Sequence, residues 1–225
     1  MYEEGIRQET QAQADVFTEQ TAVVKQTEQA NIDLTRTAEA LSVSQTQTAI
    51  PRSCTPGGTY IDGAGDTLVG YMDILQVETI FNNENLTVIF TLAELPDEIT
   101  INSQPEGYGE YYWGVEIDVD QDTETGTTGQ MGITGRAGVD YDMSLFHFSW
   151  GDEKTGPIEN VMGYDASVWV PSSDGMGMES GGRAKIAVDY ELNTISITGR
   201  IPGINQNSLL FFNTQTDMRE DSLCE

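Results

Sequence analysis

Residue 51 divides the sequence into two parts of different composition, and each part is thereby restricted to one kind of structure. Residues 1–50 contain a single glycine, Gly5, and no proline, whereas residues 51–225 hold 22 of the 23 glycines and all seven prolines. Glycine and proline interrupt helices and favour turns. Residues 1–50 can therefore form one long helix, while residues 51–225 must change direction many times. We expect a stalk followed by a separate head domain.

The N-terminal part has the pattern of a helix or of a partly disordered stalk. Ile6, Leu34 and Leu41 share one heptad position, but glutamine and threonine residues interrupt the seam. A helix over this span would be roughly 65 Å long at 1.5 Å per residue. Because threonine is a poor helix former, a polar linker is the alternative. We expect self-association through residues 1–50.

Runs rich in branched and aromatic residues, separated by clusters of turn residues, predict strands from Thr59 onward, and some of these runs alternate apolar and polar residues. In the clearest run, Tyr111, Trp113, Val115, Ile117 and Val119 would share one face of a sheet. The predicted strands are Asp73–Phe81, Leu86–Leu92, Tyr111–Val119, Asp140–Trp150, Ala166–Val170, Ala184–Tyr190, Thr194–Thr198 and Ser208–Asn213. Many short strands with little helix predict a mainly β fold, an antiparallel β-sandwich of jelly-roll or immunoglobulin-like type. A long N-terminal helix would precede it.

The acidic run at residues 117–126 is the main candidate for a metal site. It ends in a glycine, and its carboxylates occupy alternate positions: Asp118, Asp120, Asp122 and Glu124. Calcium takes six to eight oxygen ligands in flexible geometry. The run differs from an EF-hand loop, because Thr123 and Gly129 stand where that loop needs glycine and glutamate. The pattern predicts a calcium site of another type, completed by Asp140 from the next strand; the alternative is a solvated acidic turn.

Charge and hydropathy exclude several classes of function. The chain has 37 acidic and 10 basic residues, for a net charge of −27. Nucleic-acid binding requires a basic surface, so no nucleic-acid partner is expected. No window of about 18 apolar residues is present, so membrane insertion is not expected either. The acidic start of the chain lacks the pattern of a signal peptide. We expect that an export segment has been removed, and a cytosolic protein is the alternative.

The two cysteines bracket the second part of the chain. Cys54 lies near its start and Cys224 is the penultimate residue. We expect a disulfide that ties the two ends of the head together, with two free thiols as the alternative. A disulfide favours an extracellular or cell-surface location.

Aromatic residues near loops suggest a second kind of site. Tyr112, Trp113 and Trp169 could form a platform that stacks on sugar rings, and core packing is the alternative. The single histidine, His147, lies among aromatic residues in a predicted strand. Because His147 is better explained as a structural residue, we do not expect an enzyme.

Two segments resemble known families. The blocks at residues 117–126 and 138–141, preceded by Gly65-Asp66 and Asp73-Ile74, give the order GD…DI…IDxDxDxxTG…GxDY. This order is similar to secreted bacterial β-sandwich domains that resemble carbohydrate-binding-module and DOMON-like sandwiches. The repeated Thr-Ala pairs of residues 1–50 resemble the Thr/Ala/Gln-rich spacers of bacterial surface lipoproteins. The resemblance implies a non-catalytic extracellular domain on a stalk.

The sequence therefore predicts a surface protein with an adhesive or structural role. Its head would be a β-sandwich that binds Ca2+, and it would assemble through residues 1–50. The alternative is the carbohydrate-binding module of a surface lipoprotein, with a polysaccharide as its partner.

Overall fold

The computed structural model describes residues 53–65, 67, 69–101, 110–127, 136–148, 153–162, 166–173, 177–216 and 219–224. The predicted N-terminal helix, the predicted self-association through residues 1–50 and the predicted domain boundary at residue 51 lie outside these residues.

The described part of the chain is mainly β, as predicted. Its strands are β1 (Thr59–Ile61), β2 (Ile74–Asn82), β3 (Asn85–Leu92), β4 (Ile99–Ile101), β5 (Glu110–Asp118), β6 (Tyr141–Phe148), β7 (Lys154–Gly156), β8 (Ser167–Pro171), β9 (Met178–Arg183), β10 (Lys185–Asp189), β11 (Thr194–Arg200), β12 (Leu209–Thr216) and β13 (Arg219–Leu223). One short helix, α1 (Ile158–Met162), lies between β7 and β8. None of the described helical segments is long and apolar enough to cross a membrane.

The strands form two main antiparallel sheets that pack face to face. The first has five strands in the order β1-β2-β3-β11-β10, and the second has six in the order β13-β12-β5-β6-β8-β9. A small third sheet pairs β4 with β7. The chain passes from the six-stranded to the five-stranded sheet at the buried Ala184, between β9 and β10. The predicted sandwich-like arrangement is thus confirmed.

The core lies between the two main sheets. Phe90 of the five-stranded sheet meets Phe212 of the six-stranded sheet edge-on, with ring centroids 6.1 Å apart. Trp113 is fully buried, and its indole N–H donates to the carbonyl of Tyr71 at 2.9 Å. The buried carboxylate of Asp221 accepts a hydrogen bond from the N–H of Ile74 at 2.6 Å. These polar contacts fix the entry to β2 against the opposite sheet.

Strand β5 is unusual because both of its faces are buried. Every residue from Tyr111 to Asp118 is buried. Its odd-numbered residues, including Trp113 and Val115, belong to the core between the sheets. Its even-numbered residues, including Tyr112 and Glu116, are buried on the opposite face. The middle of the six-stranded sheet is therefore covered on both sides, and β5 delivers Asp118 to one end of it.

The predicted disulfide between Cys54 and Cys224 is present, with a Cα–Cα distance of 5.6 Å across a sequence separation of 170 residues. The N–H of Leu210 also donates to the carbonyl of Cys54 at 2.9 Å. Cys54, at the start of the head, is thus bound both to β12 and to the residue that follows β13.

Removal of the disulfide is expected to lower the free energy of unfolding. The double variant Cys54→Ser/Cys224→Ser should lose about 2 to 5 kcal/mol, because its unfolded chain is no longer restricted by the closed loop. Urea unfolding followed by tryptophan fluorescence measures the difference. Wild-type protein treated with a reductant is the control and should behave like the double variant. Coincident unfolding curves for the oxidised protein and the variant would contradict a stabilising role.

Candidate metal centre

The acidic loop folds back onto the segment that leads into β6. The N–H of Thr127 donates to the carbonyl of Val139 at 2.8 Å, and the N–H of Gly138 donates to the carbonyl of Thr127 at 2.9 Å. The N–H of Asp140 donates to the carbonyl of Ile117 at 2.9 Å. The last of these bonds extends the pairing of β5 with β6 beyond the strands and brings Asp140 beside the end of β5.

Two glycines allow this close approach of backbones. Gly126 has a φ of 64°, and a Cβ atom there would lie 2.3 Å from the carbonyl oxygen of Val139. Gly138 has a φ of 85°, and its Cβ would lie 3.0 Å from the Cα of Thr123. A side chain at Gly126 would therefore force the loop away from the segment that carries Asp140.

Three of the five predicted metal ligands come together. Oxygen atoms of Asp118, Asp120 and Asp140 lie within 4.8 Å of one another. Asp118 is buried, Asp140 is half-buried and Asp120 is exposed. The donors are all oxygens, the ligand type that calcium and magnesium prefer. The cluster could therefore hold a metal ion.

Hydrogen bonds from the loop orient each of the three carboxylates. Asp118 accepts from the N–H of Gln121 at 2.6 Å, and Asp140 accepts from the N–H of Val119 at 2.8 Å. Asp120 accepts from the N–H of Asp122 at 3.0 Å and from the hydroxyl of Thr125 at 3.1 Å. Gln121 adopts a positive φ of 63° to make this turn. The carboxylates are thus fixed by the fold of the loop itself.

Without a bound cation, it is electrostatically unfavourable for all three carboxylates of the cluster to be ionised. Burial raises the pKa of Asp118 above its ordinary value, and the nearby charges of Asp120 and Asp122 add to the rise. Burial likewise raises the pKa of Asp140, and the charges of Asp120 and Asp118 add to it. In both cases hydrogen bonds from backbone N–H groups act in the opposite direction. A bound cation would offset the repulsion between these groups.

Asp122 and Glu124, the other two predicted ligands, do not belong to the cluster. Both are exposed. The carboxylate of Asp122 accepts a hydrogen bond from the N–H of Glu124 at 2.9 Å. Asp122 therefore acts as a turn-forming aspartate in the described structure. The alternate spacing of the four acidic residues in the sequence does not by itself bring their side chains together.

A cleft of about 360 Å³ adjoins the cluster. It is lined by Asp120 and Asp140 together with Val119, Tyr141, Val170, Pro171 and Pro202. The cleft therefore combines two carboxylates with an aromatic ring and two proline rings. A small ligand in it would contact both the acidic cluster and an apolar wall.

The three aromatic residues predicted to bind a ligand do not form a common platform. Trp113 lies in the core between the sheets, and Tyr112 is fully buried on the opposite face of β5. Trp169 in β8 is half-buried on the same face as Tyr112. An exposed sugar platform cannot use the rings of Tyr112 and Trp113, because neither ring reaches the surface.

Sequence reasoning missed a second acidic group, which lies on that opposite face. Glu116 and Asp142 stand directly across from each other in the β5–β6 pair, and both are buried. Asp142 accepts hydrogen bonds from the hydroxyls of Tyr112 at 2.8 Å and Ser144 at 2.6 Å. A Cβ at Gly114 would clash with the Tyr112 ring at 2.4 Å, so glycine lets that ring reach Asp142. Carboxylates within a buried strand were the only sequence signal for this group.

Comparison with known proteins does not place the chain in a family. No protein-family model matches the sequence, and no curated protein is similar enough to count as a relative. The predicted resemblance to carbohydrate-binding-module and DOMON-like sandwiches therefore stays a prediction.

The buried position of Asp142 predicts a pH-dependent stability. Burial raises its pKa from 3.8 to about 7, and the charge of Glu116 acts in the same direction while the hydroxyls of Ser144 and Tyr112 oppose it. Between these two values the folded state binds more protons than the unfolded state, so the contribution of Asp142 to stability falls as the pH rises from about 4 to about 7 and stays low above that range. Asp142→Asn keeps one of the two acceptor oxygens, replaces the other with an amide group and removes the titration.

The measurement compares unfolding free energies of Asp142→Asn and wild type at several pH values. Between pH 4 and pH 8 the difference should shift in favour of the variant by up to about 4 kcal/mol, at 1.36 kcal/mol per pKa unit. The exposed Asp97→Asn is the matched control and should follow the wild-type curve. Parallel curves for Asp142→Asn and wild type would contradict the raised pKa.

Proposed function

We propose that this chain is an extracellular protein whose β-sandwich head binds calcium at Asp118, Asp120 and Asp140. The convergence of these three carboxylates at one end of the β5–β6 pair is the observation that carries the proposal. Calcium suits the site better than magnesium, because it accepts flexible, partly solvated coordination. Asp122 and Glu124 take no part in this proposal.

The role of the ion would be structural. The loop that carries Asp118 and Asp120 and the segment that carries Asp140 are separate in sequence, and the ion would tie them together at one end of the sandwich. The Cys54–Cys224 disulfide ties the chain ends in a similar way. A disulfide is typical of an oxidising compartment, and extracellular fluids commonly supply calcium at concentrations that weak sites can use. Both features support the proposed extracellular location.

We propose a binding or structural role at a cell surface rather than catalysis. His147 lies at the end of β6 and is half-buried. Its pKa is lowered, mainly by burial and also by the charge of Lys154. This placement supports a structural role for the histidine. Assembly through residues 1–50 remains part of the proposal, and it concerns residues outside the described structure.

Calcium is expected to stabilise the head. At about a hundred times the dissociation constant, an ion that binds only the folded state adds about 2.7 kcal/mol. For a domain of this size, that addition should raise the melting temperature by roughly 5 to 10 °C. Differential scanning calorimetry with calcium and with a chelator measures the shift. Magnesium at the same concentration should give a smaller one.

Matched variants locate the ion. Asp120→Asn and Asp140→Asn should lose most of the calcium-dependent shift, whereas Glu124→Gln, an exposed residue of the same loop, should retain it. The proposal fails if calcium leaves the wild-type melting temperature unchanged. Equal losses in Glu124→Gln and Asp120→Asn would show that the ion does not bind where we place it.

The cleft beside the cluster favours carbohydrate binding as a second candidate function. Its aromatic and proline walls suit the apolar face of a sugar ring, while Asp120 can accept hydrogen bonds from sugar hydroxyls. This site differs from the predicted platform of Tyr112, Trp113 and Trp169.

Affinity electrophoresis through gels that contain a neutral polysaccharide, such as mannan, laminarin or dextran, tests this candidate. At least one polysaccharide should retard the wild type, and Tyr141→Ala should reduce the retardation because it removes the ring from the cleft wall. Leu192→Ser, at an exposed position in the turn between β10 and β11, is the control. Unretarded migration in all three gels would rule against this candidate.

A further inference from the structure

The two main sheets present four edge strands, and three of them are poorly suited to pairing with another chain. β1 is only three residues long, and β13 ends beside the disulfide at Cys224. β9 contains consecutive glycines, and its pairing with β8 has a register shift between Val168 and Trp169. Short strands and irregular strands are common ways in which proteins protect their sheet edges.

The fourth edge strand, β10, has none of these features. Its five residues, Lys185-Ile186-Ala187-Val188-Asp189, pair with β11 without a register shift and contain neither glycine nor proline. Within the described part of the chain, no strand pairs with the other edge of β10. Lys185, Ala187 and Asp189 are exposed, and the two apolar residues between them are half-buried against the core. A regular edge with no strand paired to it is a template for strand addition.

The sequence of β10 is complementary to itself when it is read in the antiparallel direction. If two copies of β10 meet around a twofold axis at Ala187, Lys185 of each copy stands opposite Asp189 of the other. Ile186 then stands opposite Val188, and the small side chains of Ala187 meet at the axis. Opposite charges and apolar residues at directly facing positions stabilise antiparallel pairs.

We propose that two copies of this chain pair through β10, so that their five-stranded sheets join into one continuous sheet. The interface is isologous, as in most homodimers, and it lies entirely within the described part of the chain. It is therefore separate from any assembly through residues 1–50. It also does not depend on the proposed calcium site.

The charges at the two ends of β10 favour a second copy as the occupant of this edge. The chain carries a net charge of −27, which opposes the approach of two copies, so a local attraction between opposite charges is needed, and only three residues of the chain are lysines. One of the three, Lys185, stands where it meets an aspartate of the second copy. The carboxylate of Asp189 is held at the strand end by the N–H groups of Glu191 and Leu192, each at 3.0 Å. Its negative charge is therefore fixed at the position that Lys185 of the second copy would face.

Charge variants test the pairing in the full chain. Lys185→Asp places two aspartates opposite each other at both ends of the interface, and Asp189→Lys places two lysines there. Sedimentation velocity over a wide range of protein concentrations should show a wild-type dimerisation step, in addition to any assembly through residues 1–50. Each variant alone should weaken that dimer by roughly ten- to a hundredfold. An equimolar mixture of the two variants should restore it, because every facing pair is then of opposite charge.

Two controls accompany the charge variants. Lys154→Asp makes the same change of charge at an exposed position on β7 and should leave the dimer intact. Circular dichroism melts report whether Asp189→Lys, which removes the acceptor for two turn N–H groups, still folds.

A cysteine cross-link provides a test that does not depend on charge. Ala187→Cys places two thiols at the twofold axis, where facing Cα atoms lie about 4.5 to 5.5 Å apart, within the range of a disulfide. Oxidation should give a covalent dimer. Ser196→Cys, one strand inward and opposite Ala187, would hold its thiols about 14 Å apart across three strand spacings and should give none.

The outcomes separate the alternatives. A protein that stays monomeric and gives no Ala187→Cys cross-link overturns the proposal. Association that is unchanged by Lys185→Asp and by Asp189→Lys also overturns it, because the copies then meet through another surface. A dimer that is lost in each variant, restored in their mixture and captured at position 187 supports it.

Discussion

The register of β5 against β6 is the constraint on which the rest of the described structure depends. Ile117 stands opposite Tyr141, so the next residues outward, Asp118 and Asp140, meet at the end of the pair. The same register sets Glu116 against Asp142 on the face opposite the core. A shift of one residue would move Trp113 and Val115 out of the core. The burial of these side chains therefore also decides which carboxylates become neighbours.

Both ends of the head are secured by contacts between parts of the chain that are distant in sequence. The Cys54–Cys224 disulfide connects the start of the head to the end of its last strand, β13. The hydrogen bond from the N–H of Ile74 to Asp221 connects β2 to the same strand. Elsewhere, the acidic loop is held against the approach to β6 by backbone hydrogen bonds that two glycines with positive φ make possible. A cation at the acidic loop would act there as the disulfide acts at the termini, since each would crosslink segments that are separate in sequence.

Sequence periodicity predicted the long strands well and the short ones poorly. Each of the eight predicted strands corresponds to a strand of the structure, because each is a run rich in branched or aromatic residues, and several of them, such as Tyr111–Val119, also show a period of two. The three-residue strands β1, β4 and β7 are too short to show any period. β9, with sequence Met-Glu-Ser-Gly-Gly-Arg, has the composition of a loop and forms a strand only because β8 offers it hydrogen-bonding groups. The disulfide could also be predicted from the sequence, because the chain has only two cysteines and they lie near the two ends of the head.

The sequence alone determined that the head is a β-rich domain with an acidic turn after its central strand, because both properties are local patterns of residue type. It could not determine which acidic residues meet. Asp140 joins Asp118 and Asp120 through strand register, whereas Asp122 and Glu124 stay exposed because the turn directs them away. The sequence alone also could not determine which aromatic residues are buried and which are exposed. Tyr112 and Trp113 are both buried because β5 is covered on two faces, and that depends on what packs against a strand rather than on the strand itself.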